Sequence, residues 1–292
     1  MKSKVDLALK PIAVVGPFSG PRAVYGKMLK KGIFELCQEY PDQLEIEFFD
    51  DRGDPSNAEQ IARRIVARNK VAVIGHFNSF SALNALPFYR KAKIPLLLPA
   101  STNMDISKSF NNILRFCSND LKQVHTIKSY CLKNNLLKGF LFHDETQYGK
   151  ELITLFKENS SPISVLSFED SELEEENFVF FAGTHYNAAQ TVMELRRRKF
   201  QGTIFLSDDS YTDEFIELVN DHTSKCLVIS SQETYEETTY MAAKYLIDYS
   251  NVPNYYEHVN NCEIPGFSSE GERYQAKWIL TTIKNGVFVE VE

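Results

Sequence analysis

The residues best equipped for chemistry stand where apolar runs stop. In "VIGHFNSFSA" the run Val71 to Ile74 gives way to His76, Asn78, Ser79 and Ser81. In "IPLLLPASTN" the leucines give way to Ala100, Ser101, Thr102 and Asn103. Two such switches at consecutive strand ends suggest a site. Ser79 or Ser101 beside His76 or His185 would make a nucleophile and its base. No Gly-x-Ser-x-Gly elbow accompanies them and nothing identifies a third partner, so hydrolysis ranks behind binding. "HDETQYG" sets His143, Asp144 and Glu145 side by side, but three adjacent loop residues do not converge on one ion. No metal and no cofactor is expected, while Tyr148, at the mouth of the next helix, can turn its ring and hydroxyl into a cleft.

"GPFSGPRAVYGK" has the look of a phosphate loop, but its spacing is wrong and Met28 replaces the hydroxyl residue that would hold magnesium. Neither is there a Gly-x-Gly-x-x-Gly for a dinucleotide. The stretch reads as a strand-to-helix turn from which Tyr25 can project into a cleft. In "LSDDSY", Asp209 or Ser210 is expected to cap a helix over 212–219, or to face a ligand. Each of these polar clusters lies at the carboxyl end of an apolar strand, where ligands bind in open α/β sheets.

The elements that carry them alternate. Strand-like runs at 12–15, 44–49, 71–74 and 95–98 are separated by helical periods at 23–39, 58–69 and 81–91, which implies a parallel sheet with helices on both faces. After an extended crossover at 112–117 a second series begins. It has helices at 121–132, 149–157, 187–198 and 212–219 and strands at 139–142, 163–168, 179–182, 203–206 and 227–230. The acidic "FEDSELEEEN" is short for a parallel crossover, so a reduced or missing helix is expected there. A helix over 240–249 precedes a tail in which Lys284-Asn285-Gly286 signals a hairpin.

At 292 residues the chain is long enough for two lobes. Net charge of -7 argues against a nucleic-acid partner, and Arg196 to Lys199 read as the basic end of a helix. No apolar run approaches the ~18 residues of a membrane span. The N-terminal "MKSKVDLALKPIAVVG" contains no intact secretory signal. Five dispersed cysteines, Cys37, Cys117, Cys131, Cys226 and Cys262, lack ligand spacing, and most read as small buried hydrophobes.

Taken in order, "IAVVGPFSGPRAVYG", "FFDDRGDPSNA", "VAVIGHFNSFSA", "IPLLLPASTN", "HDETQYG" and "PGFSSEGERYQAKWILTTIKNGVF" resemble the leucine/isoleucine/valine-binding, type I periplasmic binding proteins. The resemblance implies two Rossmann-like α/β lobes joined by a three-strand hinge and closing on a small molecule. The first lobe would be 1–118 with about 235–276, and the second, trimmed, 119–234 with about 277–292. It places a ligand carboxylate on Ser79 and Thr102, with the Ala100 carbonyl accepting from the ammonium, and Tyr148 and Asp209 on the opposite lobe. A hydroxyl beside helix N–H groups suits an anion. Ser101 should point away and matter less. Tyr25, Asn78 and Thr184 complete the candidate ligand set, Thr184 standing where an aromatic is common.

The cysteine pair that often bridges two loops in that family is replaced by Gly53 and Asn78, the acid is Asp rather than the longer Glu, and residues are missing around 231–239. The implied partner is an amino acid or related carboxylate. Beyond that lies an ABC permease or a fused signalling domain, with the protein periplasmic or extracellular, or else cytoplasmic as a regulatory domain.

Overall fold

The computed structural model describes residues 10–109, 112–167, 172–261 and 263–291. In chain order its elements are β1 (Lys10–Gly16), α1 (Ala23–Glu39), β2 (Leu44–Asp50), α2 (Pro55–Ala67), β3 (Ala72–Ile74), α3 (Ser79–Ala92), β4 (Leu96–Leu98), α4 (Asp105–Ser109), β5 (Ile113–Arg115), α5 (Asp120–Lys133) and β6 (Lys138–His143). There follow α6 (Gln147–Glu158), β7 (Ser164–Leu166), β8 (Phe178–Ala182), α7 (His185–Arg197), β9 (Thr203–Leu206), α8 (Asp213–Val219), β10 (Cys226–Ser231), α9 (Tyr235–Asp248), α10 (Tyr255–Asn261), β11 (Trp278–Lys284) and β12 (Val287–Glu290). The chain divides into two compact units, Met1–Asn119 with Glu233–Ala276, and Asp120–Gln232 with Lys277–Glu292.

The first unit is built on an all-parallel sheet in the order β2-β1-β3-β4-β5. Alternate strand residues face opposite ways. Ala13, Val15, Leu96 and Leu98 therefore pack with Ile61 of α2 and Ala85 of α3, whereas Ile12, Val14 and Leu97 pack with Ile33 of α1 and Ala242 of α9. The Leu run is continuous because both faces of β4 are covered. The extended segment at 112–117 contains β5, the fifth strand of the sheet.

The second unit contains seven strands in the order β12-β11-β10-β9-β8-β6-β7, of which β11 and β12 run antiparallel. Phe178, Phe180 and Ala182 of β8 pack with Val124 of α5 and Phe156 of α6. Val179 and Phe181 face Val192 of α7 and Phe215 of α8. The hairpin forms where Asn285 and Gly286, at φ 52° and 74°, make the two left-handed residues of a tight turn. Between β7 and β8 none of the described residues is helical, while Phe168 to Ser171 lie outside the described residues. So do the first nine residues of the N-terminal stretch, and Cys262. Cys117, Cys131 and Cys226 are buried and Cys37 is exposed. Burial pushes the Cys131 thiol up to about 12 and that of Cys226 up to about 11.

The cap of α8 differs from expectation. Asp208 to Ser210 form a separate 3-10 turn, and Thr212 caps the helix by accepting from the Phe215 N–H at 3.1 Å. Thr212 is the last residue in extended conformation before the helix, which is what the cap geometry requires.

Asp144 joins two loops of the second unit. Its carboxylate accepts from the Thr146 N–H (3.0 Å), the Thr146 hydroxyl, the Thr184 N–H (2.8 Å) and Asn187 Nδ2 (3.1 Å). Gly183, at φ 154°, must be glycine because a Cβ there would lie 2.4 Å from the Asp144 carboxyl carbon. Burial pushes the Asp144 pKa up, but the bonds from Thr146, Thr184 and Asn187 outweigh it and hold the group below the ordinary carboxylate range.

Two outcomes follow. Thr212→Ala should cost about 1 kcal/mol in urea unfolding, and Asp209→Ala should leave the capping contribution intact. Asp144→Asn should lose about 1.5–3 kcal/mol at neutral pH. Because the folded pKa is depressed, the wild-type advantage is complete above the unfolded value of about 3.9 and disappears as pH falls through the folded one. Thermal melts of both proteins from neutral to acid pH check this.

Candidate functional site

Both units share one topology, in which the second strand lies outside the first and the rest follow on the other side. Helices leave adjacent strands on opposite faces at β1/β3 and at β6/β8, the positions where open sheets form ligand crevices.

In the first unit the loops after β3 and β4 meet there. Ser79 is the first residue of α3, and its Oγ accepts from the backbone N–H groups of Thr102 (3.2 Å) and Asn103 (3.3 Å). The structure therefore brings together the two hydroxyl residues singled out in the sequence. Asn78 stands at the N-cap of α3, yet its side chain makes no capping bond, and its Oδ1 is buried without a hydrogen-bond partner. The first turn of a fourteen-residue helix thus presents backbone donors and the positive end of its dipole beside the Ser79 and Thr102 side chains.

Ala100 is buried in a small cluster with Tyr25, Leu29 and Phe77, flanked by Phe18 and Tyr235. Tyr25 is only 6% exposed and stacks on Phe77 with centroids 4.6 Å apart, so it is a packed member of the site's wall rather than a projecting group. Phe77 also meets Tyr235 edge-on. Phe77 lay inside a recognised motif but read as an ordinary apolar residue, and Tyr235 comes from a helix far along the chain.

Ser101 turns inward as expected, but it is structural. It is fully buried, and its hydroxyl donates to the carbonyls of His76 (2.8 Å) and Phe77 (3.1 Å), pinning one loop to the other. The His76 imidazole is also fully buried, with Nδ1 2.6 Å from Asp51 Oδ2 and Nε2 3.0 Å from the Tyr89 hydroxyl. Both ring nitrogens are thereby engaged, and neither serves as base to Ser79 or Ser101. Burial, then the Asp51 charge, pushes the Tyr89 pKa well above its ordinary value. Gly53 and Asn78 are neighbours, since a Cβ on Gly53 would lie 2.9 Å from Asn78 Oδ1.

In the second unit the candidates follow β6, β8 and β9. Tyr148 sits in the first turn of α6 behind its Thr146 cap, and its hydroxyl donates to Asp208 Oδ1. Gln123 Nε2 donates to the same oxygen at 3.2 Å. Burial, then the charges of Asp208, Asp120 and Asp209, pushes the Tyr148 pKa well above its ordinary value, so the phenol stays a donor. Asp209 is half-buried in the 3-10 turn beside Asp208. Thr184 is the N-cap residue of α7, where its backbone N–H rather than its hydroxyl is bonded, to Asp144. Sequence reasoning missed Asp208 and Gln123. The doubled Asp in "LSDDSY" signalled the first, and nothing local signals the second. Among the described residues no group of three or more His, Cys, Asp or Glu has a metal-holding arrangement, and no helix is long and apolar enough to cross a membrane.

A family model described as periplasmic binding protein matches residues 11–163. An amino acid binding protein of Pseudomonas aeruginosa is 26% identical over 231 residues, covering 70% of this chain and 61% of that relative, so the matched region is less than two thirds of its length. The Leu/Ile/Val-binding protein BraC3 of Rhizobium johnstonii is 22% identical over 306 residues, covering 94% and 83%. A crystal structure of the leucine binding protein LivK from Thermotoga maritima superposes with a TM-score of 0.84 at 18% identity, over 97% of this chain and 98% of that one, and so shares the fold. With more than half of its residues matched by the family model, this chain belongs to the periplasmic binding protein family.

Proposed function

We propose that the protein binds a small aliphatic amino acid, or a related carboxylate, without converting it. The observation that carries this reading is the first-unit arrangement: Ser79 bonded to the Thr102 and Asn103 amides at the start of a helix whose N-cap side chain does not cap it. With its oxygen accepting from those two amides, the Ser79 hydroxyl keeps its hydrogen to donate, and together with the first-turn N–H groups of α3 it can stabilise a carboxylate without a cation in contact. The Ala100 carbonyl accepts from the ligand ammonium, and the wall of Phe77 and Tyr25 supplies an apolar contact. On the second unit Asp209 supplies a carboxylate, and Tyr148, whose hydroxyl hydrogen goes to Asp208, supplies a phenol oxygen that can accept, which are the groups an ammonium requires. The similarity to proteins named for binding leucine, isoleucine and valine supports an aliphatic side chain.

Binding without turnover also fits His76, whose ring is committed to Asp51 and Tyr89. The role supported by the family is delivery of the ligand to an ABC permease from the periplasm or an extracellular space, with sensing through an attached domain as the variant of the same chemistry.

Calorimetry against the twenty amino acids and common carboxylates tests the reading. One of leucine, isoleucine or valine should bind best. Thr102→Ala and Asp209→Ala should each weaken it by roughly tenfold, the loss of about one charge-assisted hydrogen bond. Unchanged affinity in the double variant would overturn the site assignment.

A further inference from the structure

Arg115 ends β5 and is fully buried, which for a guanidinium demands that its donors be satisfied. Nη1 donates to the Ser101 carbonyl, Nη2 donates to the Asn103 carbonyl at 2.9 Å, and Nε donates to Glu272 Oε1 at 2.9 Å. The carbonyls on either side of Thr102 are thus both turned onto one rigid, planar cation. Ser107 Oγ donates to the same Glu272 oxygen at 3.0 Å.

The second oxygen of Glu272 accepts from Asn119 Nδ2 at 3.1 Å. Asn119 is the residue at which the chain first leaves the first unit. The neighbouring Arg273 donates from Nε to the Phe116 carbonyl at 2.9 Å and pairs with Glu233 at 2.7 Å, and Glu233 is where the chain re-enters. Ser118 Oγ donates to the carbonyl of Ala276, the last residue before the chain leaves again. The Ala276 N–H donates to the Arg273 carbonyl at 3.3 Å, so Asn119 is tied to Glu272 itself, and Glu233 and Ala276 to its neighbour Arg273.

We propose that Arg115 is the positioning residue of the 101–103 loop, and that Glu272 links this loop to the three segments by which the chain leaves and re-enters the first unit. Resting on the carboxylate-binding reading above, the proposal adds a structural route from the ligand loop to the interunit segments. A lysine would keep the charge but cannot hold two carbonyls and a carboxylate in one plane. A glutamine at 272 would keep the shape and lose the charge-assisted bond.

The test uses the full chain with Arg115→Lys and Glu272→Gln. In the absence of ligand, hydrogen exchange in Glu272→Gln should quicken at the Thr102 and Asn103 amides and also near 119, 233 and 276, while the α2 and α3 layer stays at wild-type rates. Arg115→Lys should quicken exchange at the loop and weaken L-leucine binding by roughly tenfold or more. Wild-type exchange in both variants, a change confined to 271–273, or uniform acceleration across the unit would overturn the proposal. If the wild type takes up no amino acid, the functional reading fails, and the ligand-free exchange still decides the role of Arg115 and Glu272.

Discussion

A strand buried on both faces has no place for a polar side chain, and that constraint organises this protein. Ile12 to Val15, Leu96 to Leu98 and Phe178 to Ala182 are apolar at every position because alternate residues enter different cores. Polar chemistry is consequently confined to the strand ends. At the carboxyl ends it meets helix N-termini, whose backbone donors lack partners within the helix. Ser79, Thr102, Tyr148, Thr184 and Asp209 all stand at this edge of their own sheets.

The two units answer the same topology with opposite charges. In the first, Ser101 and the buried Arg115 donate to backbone carbonyls of the two loops, and Ser79 accepts from the Thr102 and Asn103 amides. In the second, loops are held by a carboxylate: Asp144 gathers four donors across the β6/β8 crossing, and Asp208 takes the Tyr148 hydroxyl and the Gln123 amide.

The connection into β8 shows no helix in its described part, and the half-buried Leu166 and Leu173 pack on the core there. Gly53 and Asn78 lie side by side, a Cβ on Gly53 falling 2.9 Å from Asn78 Oδ1. The appended β11 and β12 hairpin extends the second sheet by antiparallel pairing beyond β10.

Much of this was legible without coordinates. Alternating apolar runs and helical periods specified two α/β units, the Asn285-Gly286 turn specified the hairpin, and the switches after Ile74 and Leu98 marked the two loops that meet through Ser79, because periodicity and turn preference are local properties of the chain. Tertiary structure alone decided the rest. Arg115 meets Glu272 across 157 residues, Gln123 meets Asp208 across 85, and Tyr235 meets Phe77 from a distant helix. The cap moved to Thr212 because backbone dihedrals, and not residue type, choose among Asp209, Ser210 and Thr212. Residue types determined where polar groups would gather. Which of them bond to one another depends on distances between segments that no local pattern encodes.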